Sequence, residues 1–347
     1  MVITSQVKLI LTEDQKREFE VYTRRSTDCL KQLIQWITED RIRSMYELHK
    51  NYYAIARGKF ELSADMTSVL MFKALKLAKD KKRAKKDRLV FKRTKVVGNE
   101  VRVTFGSRPV QIPFYGIVVQ GESRQSEAKF VNGEWFLNIS IEKEVPVLKN
   151  YTRFMGVDLG IAKTAVIADW NGQNTKFFGG EPFRFKKNHY QKLRASMSEN
   201  LKKGNTYKAI KNISGKEARW VLNMNHEISR EIVDIAVNNK RSIAVEKLTG
   251  ITERLKVNKK TRKMLKGWSF RQLVDFIKYK AELSGILVLE VDPRQTSRTC
   301  PKCGHISRSN RKTQERFICV SCRYESNADR VAAMNIALRG TELLACR

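Results

Sequence analysis

Four cysteines in two Cys-x-x-Cys pairs are the clearest chemical signal in the chain. Cys300 and Cys303 form the first pair, Cys319 and Cys322 form the second, and fifteen residues separate the pairs. This spacing is typical of a zinc ribbon, in which four thiolates hold one Zn²⁺ in a tetrahedron. Because four thiolates complete the coordination shell, we expect the ion to be structural and not catalytic.

Three acidic residues form a second set with possible chemistry. Asp158 and Glu246 each end a short apolar stretch, and Asp329 follows the last cysteine by seven residues. Carboxylates from different elements can hold two Mg²⁺ (or Mn²⁺) ions about 3.5–4 Å apart, and such a pair stabilises both oxygens of a phosphodiester displacement. The three acids therefore predict a divalent-metal site for phosphodiester hydrolysis.

Each acid also has an ordinary interpretation when it is taken alone. Asp158 could be a turn residue before Gly160, Glu246 could pair with a nearby lysine or arginine, and Asp329 could simply favour the first turn of a helix. The order of the three acids along the chain favours a shared site. Other acids lie near strand ends and are less favoured candidates: Asp169, Glu290 and Asp292.

The elements that must carry these acids belong to an α/β domain. Short apolar runs predict strands at 154–158, 164–168, 175–178, 242–246 and 286–291, and helical spacing predicts helices at 183–239, at 268–284 and from 327 onwards. Three antiparallel strands with an acid in the first are how a domain of the RNase H type begins. The cysteine pairs then form an insertion just ahead of the last acid.

The N-terminal half has a different texture. Alternation predicts a strand at 3–11, Thr12 to Gln15 reads as a capping box, and helices are predicted after it, at 38–56 and from Ser63. Further strands are predicted at 88–94, 100–105, 108–113, 116–121, 126–131 and 135–142. This order predicts a small β-barrel with a helical insertion after its first strand.

The charge of the chain favours a polyanionic partner. Lysine and arginine number 68 against 36 aspartate and glutamate residues, a net charge of +32. Nucleic acid explains this charge best. An anionic membrane is disfavoured because no apolar run approaches the ~18–20 residues that a spanning helix needs. The N-terminus lacks the pattern of a secretory signal, so an intracellular protein is expected.

Two basic segments are candidate nucleic-acid contacts. Between Lys73 and Lys95, twelve lysines or arginines face two aspartates, and the segment 253–266 is also strongly basic. The side chains that we predict to contact nucleic acid are Lys81, Lys82, Arg83, Lys85, Lys86, Lys259, Lys260 and Arg262. A solvated charged surface is the ordinary alternative.

Together these motifs resemble the TnpB family of transposon-encoded RNA-guided nucleases. The matching pieces are Gly156-Val-Asp158-Leu-Gly160, Ile243-Ala-Val-Glu246, the ribbon from Thr296 onwards, and Ala328-Asp329-Arg-Val-Ala-Ala-Met-Asn335. The match covers about residues 150–340, whereas the N-terminal half matches only in layout. Two positions depart from the family pattern: Arg323 stands where glycine is common, and Val331 stands where asparagine is usual.

The resemblance implies an α/β multidomain chain. An RNase H-like (RuvC) nuclease domain would occupy 149–295 and 325–347, with the zinc ribbon inserted at 296–324. A wedge-like β-barrel would precede it at 1–11 and 85–148, with a helical recognition domain at 12–84. The basic loop at 253–266 resembles a lid over the active site.

The resemblance also implies a function. A guide RNA from the transposon end would direct the protein, as a monomer on each RNA, to double-stranded DNA beside a short target-adjacent motif. Asp158, Glu246 and Asp329 would then cut the DNA with Mg²⁺ or Mn²⁺. Three alternatives stay open: a nuclease-inactive RNA-guided repressor, a compact type V CRISPR effector of the same lineage, and a zinc-ribbon binding protein without catalysis.

Overall fold

The structure is a computed structural model of the chain. It describes residues 1–80, 88–92, 94–105, 108–131, 133–200, 203–247, 270–313 and 315–346. The described chain divides into two compact units, Met1–Glu144 and Val145–Arg347. The predicted nucleic-acid contacts at Lys81, Lys82, Arg83, Lys85, Lys86, Lys259, Lys260 and Arg262 lie outside the described residues, as does the basic loop at 253–266.

The first unit is a β-sheet with three helices between its first and second strands. The helices are α1 Glu13–Glu39, α2 Met45–Phe60 and α3 Ala64–Lys79. The strands are β1 Val2–Leu9, β2 Arg88–Phe91, β3 Lys95–Val97, β4 Glu100–Phe105, β5 Arg108–Tyr115, β6 Glu122–Val131 and β7 Glu134–Glu142. The helical insertion after the first strand, predicted from the sequence, is therefore present.

These strands form one antiparallel sheet in the order β2-β6-β7-β1-β5-β4-β3. The N-terminal strand β1 lies in the middle, paired with β7 and β5. Its alternate side chains, such as Val7 and Leu9, are buried in a core shared with Phe19 of α1. Within the described residues β2 and β3 are the two outer strands, so the predicted barrel is seen here as a sheet.

Two predicted elements of this unit are wrong in detail. The first helix continues to Glu39, and the second begins only at Met45, because Ser44 caps it with its side chain. The predicted strand at 116–121 is a loop, bounded by Gly116 and Gly121 at φ of 134° and 155°. The capping box at Thr12 is as the sequence predicts, and the third helix begins after Ser63, whose side chain caps it.

The second unit carries the predicted acids and cysteines. Its strands are β8 Phe154–Asp158, β9 Lys163–Asp169, β10 Lys176–Gly179, β11 Ser242–Glu246, β12 Val288–Val291, β13 Arg316–Ile318 and β14 Glu325–Asn327. Its helices are α4 Glu181–Asn200, α5 Lys203–Asn238, α6 Phe270–Leu283 and α7 Ala328–Ala345. The region predicted as one helical stretch at 183–239 is thus two helices.

Five strands of this unit form a mixed sheet in the order β10-β9-β8-β11-β12. Strands β8, β9 and β10 are antiparallel neighbours, while β11 runs parallel to both β8 and β12. This order agrees with the α/β domain of the RNase H type that the three-strand start predicts. Helices α5 and α6 pack together over the core formed by Ile232, Ile243 and Ile277.

Helix α7 lies directly on the strands of this sheet, and two glycines permit its close approach. A Cβ atom at Gly156 of β8 would lie 2.0 Å from the Ala333 carbonyl oxygen of α7. A Cβ atom at Gly340 of α7 would lie 2.7 Å from the Cβ of Ala244 in β11. Since real Cβ atoms do not approach so closely, both positions require glycine, and together they fix the height of α7 above the sheet.

Among the described helices, none is long and apolar enough to cross a membrane.

Candidate active site and metal centre

Asp158 and Glu246 lie side by side at one edge of the second unit's sheet. Each is the last residue of its strand, β8 and β11 respectively, and these strands are parallel. Val157 pairs with Val245, so the two acids occupy the next register position on neighbouring strands. Parallel partners in register point to the same face. The sequence prediction that these two acids converge follows directly from this pairing.

Asp329 reaches the same place from helix α7. It lies in the first turn of the helix, where the side chain of Asn327 caps the backbone N–H groups of Asp329 and Arg330 at 3.0 and 3.1 Å. Because α7 runs over β8 and β11, its start lies at the ends of those strands. The charge of the Asp329 carboxyl raises the pKa of Asp158.

The three carboxyl groups share an environment that disfavours their negative charges. Burial raises the pKa of Asp158 well above its usual range, and the neighbouring charges of Glu246 and Asp329 raise it further. Burial likewise raises the pKa values of Glu246 and Asp329. Clustered carboxylates with elevated pKa values are a mark of a functional site, and a bound cation would relieve their repulsion.

Arg311 supplies part of the missing positive charge. This residue of the ribbon segment places its guanidinium 3.3 Å from a carboxylate oxygen of Asp329. Its charge lowers the pKa values of both Asp158 and Asp329 and so opposes the effect of burial. Arg311 therefore belongs to the site, although nothing in its sequence context separates it from the other basic residues around the cysteines.

Glu246 has a partner that the sequence reasoning also missed. The hydroxyl of Thr296 donates a hydrogen bond of 2.8 Å to the Oε1 atom of Glu246. The side-chain amide of Asn335 in α7 donates to the carbonyl oxygens of Thr296 and Thr299 at 2.7 and 2.8 Å. Thr296 and Asn335 are both buried. Both residues stand in the motifs that carry the family resemblance, but no signal in those motifs indicated this role.

The three carboxylates fit divalent metal ions. They offer the hard oxygen ligands that Mg²⁺ and Mn²⁺ prefer. Their oxygens are not all within 4.8 Å of one another, since only the four cysteines meet that spacing among the described residues. A pair of ions about 3.5–4 Å apart takes ligands that are more widely spread than those of a single ion. Two acids on strand ends and one on a helix start provide such a spread.

The four cysteines form a compact cluster that fits one tetrahedral metal ion. The Sγ atoms of Cys300 and Cys322 are 3.6 Å apart, as are those of Cys303 and Cys319. A tetrahedron with Zn–S bonds of about 2.3 Å has edges of about 3.8 Å. The cluster thus has nearly the dimensions of a zinc site. Asn310 joins its two halves, since its side chain bonds the carbonyls of Arg298 and His305 and the N–H of Val320.

The two positions that depart from the family pattern have clear structural settings. Gly304 follows the first cysteine pair with φ of 72°, and Arg323 follows the second pair with φ of 61°. Arginine therefore adopts at Arg323 the left-handed conformation that glycine adopts without cost. Val331 is fully buried against Phe317 and the cysteines of the ribbon, so its apolar side chain joins α7 to the ribbon.

The less favoured acids have other partners. The buried carboxylate of Asp169 accepts hydrogen bonds from Arg241 at 3.2 Å and from Asn174 at 2.9 Å. Glu290 pairs with Lys278 at the surface. Asp292 accepts a bond from the backbone N–H of Arg294 and is exposed. Their lower rank in the sequence analysis agrees with these contacts.

Comparison with known proteins places this geometry in a family. The family model described as the Cas12f1-like TNB domain matches residues 270–336. A TnpB-like protein of Methanocaldococcus jannaschii is 30% identical over 200 residues, which are 56% of this chain and 71% of that protein. The chain belongs to the TnpB-like family. The resemblance predicted from the motifs is thereby confirmed.

Longer relatives match this TnpB-like chain as well. The CRISPR-associated endodeoxyribonuclease Cas12f1 of Sulfoacidibacillus thermotolerans is 33% identical over 239 residues, which are 64% of this chain. The chain spans 55% of that relative's length. A solved structure titled as a Cas12f1-sgRNA-target DNA complex aligns with 97% of this chain at a TM-score of 0.46 and 18% identity.

Proposed function

We propose that this TnpB-like protein is an RNA-guided DNA endonuclease that cleaves double-stranded DNA. The observation that carries the proposal is the convergence of Asp158, Glu246 and Asp329 at one sheet edge, with pKa values raised by burial. Two relatives support the proposal: one is named a TnpB-like protein, and the other is named a CRISPR-associated endodeoxyribonuclease. Catalysis then requires the carboxylates to be ionised, and bound cations favour that state.

In this proposal each acid is both a catalytic residue and a metal ligand. Mg²⁺ or Mn²⁺ ions, when bound, would activate the attacking water and neutralise charge on the leaving oxygen. Asp158 and Glu246 would hold the ions from adjacent strand ends, and Asp329 would hold them from the start of α7. Arg311 lies beside Asp329 and offers a further positive charge to the scissile phosphate. The buried sheet below them holds the ligands in place.

The cysteine cluster has a separate role. We assign Cys300, Cys303, Cys319 and Cys322 to one structural Zn²⁺, which folds the segment that carries Arg311 and leads into α7. Ala328 donates its N–H to the carbonyl of Glu315 at 2.8 Å, so the ribbon continues directly into the helix that bears Asp329. Loss of the metal would therefore disturb the acidic site without removing any of its ligands.

The domain assignment is also part of the proposal. The nuclease domain comprises 149–295 and 325–347, and the ribbon comprises 296–324. We assign residues 1–11 and 85–148, which include the strands of the first unit's sheet, to the wedge-like barrel, and residues 12–84, which include its helices, to the recognition domain. We propose that these elements bind a guide RNA and the target-adjacent duplex, with one protein on each RNA. The basic segments that we predict as contacts would hold the phosphate backbones.

Cleavage by the protein purified with its RNA tests this function. A plasmid with a matched target is expected to be cut only when Mg²⁺ or Mn²⁺ is added. Asp158→Ala should abolish cutting and keep DNA binding, whereas Glu290→Ala is the matched control because Glu290 pairs with Lys278 at the surface. Normal cutting by the Asp158→Ala variant would show that the active-site assignment is wrong.

The RNA that copurifies with the protein separates the remaining alternatives. A discrete transposon-end species supports the transposon nuclease, and a repeat-spacer species supports the compact CRISPR effector. Bulk cellular RNA indicates a binding protein without a guide. The nuclease-inactive repressor is disfavoured because all three acids are present and converge.

A further inference from the structure

Two buried side chains support one acid of the proposed active site: Thr296 contacts Glu246 directly, and Asn335 contacts the loop that carries Thr296. Thr296 is 3% exposed, and its hydroxyl donates to the Oε1 atom of Glu246 at 2.8 Å. The Oε2 atom of Glu246 has no hydrogen-bond partner among the described residues. A carboxylate held at one oxygen and free at the other presents a defined oxygen to a ligand.

Thr296 does not belong to either strand of the site but to the loop between β12 and Cys300, where the ribbon segment begins. Its hydroxyl also lies 3.1 Å from the carbonyl oxygen of Pro293, which is the competing acceptor. Because threonine is branched at Cβ, its χ1 angle is stiff, and the position of the loop backbone decides where the hydroxyl points. The loop therefore has to be fixed for the bond to Glu246 to form.

Helix α7 fixes that loop. Both amide hydrogens of Asn335 bond to loop carbonyls, those of Thr296 and Thr299, and Asn335 is 4% exposed. One turn further along, Arg339 donates to the carbonyl oxygen of Asp292 at 2.5 Å. The helix thus holds the loop at its beginning and in its middle. The same helix begins with Asp329, another acid of the site.

We propose that Thr296 and Asn335 are positioning residues that act as a relay: Asn335 fixes the loop, and Thr296 then fixes the Glu246 carboxylate for metal binding. The inference rests on the proposed metal-dependent function. It assigns α7 two tasks, since the helix supplies Asp329 directly and orients Glu246 through the loop. Two of the three acids are then aligned by one rigid element, although they are 83 residues apart in the chain.

Binding of Mn²⁺ to the RNA-free full chain, followed by electron paramagnetic resonance, tests the relay without any cleavage. The bound Mn²⁺ that Asp158→Ala removes defines the signal of the acidic site. Thr296→Val keeps the shape of the side chain and removes the hydroxyl, so it should weaken this binding about 10–100-fold. Thr296→Ser restores the hydroxyl and should bind within about threefold of the wild type.

Thr299→Val is the matched control. Its hydroxyl lies three residues away in the same loop and, among the described residues, bonds only to the carbonyl of Gln295, at 2.9 Å. This variant should bind Mn²⁺ as the wild type does. A melting temperature within a few degrees of wild type for Thr296→Val shows that the loss is one of positioning and not of folding.

Asn335→Asp keeps the size of the side chain and removes both donors. It should weaken Mn²⁺ binding in the same direction, and adding Thr296→Val to it should cost little more, because the two residues act in series. If Asn335→Asp fails to fold, the Thr296 series alone decides the proposal.

Several results would overturn the relay. If Thr296→Val binds Mn²⁺ as tightly as the wild type does, the relay is contradicted. It is also contradicted if Thr296→Ser binds as weakly as Thr296→Val, because the methyl group and not the hydroxyl would then be responsible. If the wild-type protein shows no bound Mn²⁺ that the Asp158→Ala substitution removes, the metal site and the relay are both contradicted. Mn²⁺ binding with the expected pattern but no DNA cleavage leaves the relay standing and contradicts the proposed function.

Discussion

At the scale of single residues, burial and the neighbouring acids raise the pKa of Asp158 well above its usual range. Its carboxyl is enclosed at the end of β8, next to Glu246 and within reach of Asp329. The raised pKa means that the folded protein holds this proton more tightly than the unfolded chain does. Between the two pKa values, the free energy of unfolding therefore falls as pH rises. The clustered carboxyl groups therefore lower the stability of the metal-free protein, and a bound cation would offset this loss.

Asp158→Asn should stabilise the metal-free protein at pH 7. The neutral amide removes a buried charge, and a shift of one pKa unit corresponds to about 1.4 kcal/mol. For a unit of this size we expect a melting temperature higher by roughly 2–4 °C per kcal/mol. The gain should shrink as pH falls below about 4, the usual pKa of an aspartyl carboxyl, because the wild-type carboxyl then becomes protonated in the unfolded chain as well. Thermal melts at several pH values measure it.

Asp169→Asn provides the contrasting control for this experiment. The Asp169 carboxylate is also buried, but Arg241 and Asn174 satisfy it. Removing its charge should lower the melting temperature because it leaves Arg241 without its ionic partner. Equal effects of the two substitutions would contradict the account given for Asp158.

At the scale of elements, the seat of α7 on the sheet decides whether the third acid meets the other two. Gly156 sits where the backbone of α7 passes over β8. A side chain there has to displace backbone and not a flexible side chain, so the helix itself must move. Asp329 would move with it, and so would the loop held by Asn335.

Gly156→Ala should destabilise the second unit by about 1–3 kcal/mol and should also abolish DNA cleavage. The physical reason is the 2.0 Å approach of the new Cβ atom to the Ala333 carbonyl oxygen. Denaturant titration and the plasmid assay measure the two effects. Gly179→Ala is the control in the same sheet, because within the described part of the chain no heavy atom beyond its immediate chain neighbours lies within 4 Å of its added Cβ. Cleavage at the wild-type rate by Gly156→Ala would contradict this seating of the helix.

The turn at the second cysteine pair gives a prediction in which a substitution raises stability. Arg323 has φ of 61°, a left-handed conformation that costs a non-glycine residue about 1 kcal/mol. Arg323→Gly should therefore stabilise the ribbon by about that amount and slow the loss of Zn²⁺ to a chelator. Gly304→Ala at the first knuckle, where φ is 72°, should accelerate the loss. A faster loss of Zn²⁺ from Arg323→Gly would show that its side chain supports the ribbon.

At the scale of the whole molecule, the charge of +32 governs binding to nucleic acid. Phosphate contacts release counterions, so affinity falls steeply with salt. A protein with 6–10 phosphate contacts loses about 10³- to 10⁵-fold in affinity between 50 and 200 mM salt. We expect RNA binding by this protein to show a dependence of this kind.

Replacing the basic cluster Lys81, Lys82, Arg83, Lys85 and Lys86 by glutamine should reduce the slope of log affinity against log salt. The expected reduction is about 1 for each phosphate contact that is lost. Lys16 and Lys31 are the matched control, because they are paired with Glu13 and Asp28 on the surface of α1. Filter binding over a salt series measures the slopes. Equal slopes for the two variants would mean that the cluster is only a solvated surface.

The residue types and their spacing in the sequence by themselves determined much of this protein. Two Cys-x-x-Cys pairs specify a metal site because each pair brings two thiolates together within one short turn, and the four Sγ atoms do lie together in the structure. Asp158 and Glu246 were predicted to share a metal site because each ends an apolar stretch, and the parallel pairing of their strands in the structure places them at one edge. The capping box at Thr12 could be predicted because capping depends on side chains a few residues apart.

Only the tertiary structure decided the contacts that join distant segments. Arg311 looks like any other basic residue until the ribbon places it against Asp329, and Thr296 and Asn335 acquire a role only when α7 lies over the loop. Gly156 is one glycine among 18 until a helix backbone passes above it. Local pattern records what a residue does to its neighbours in the chain, whereas these effects arise between residues brought together by packing.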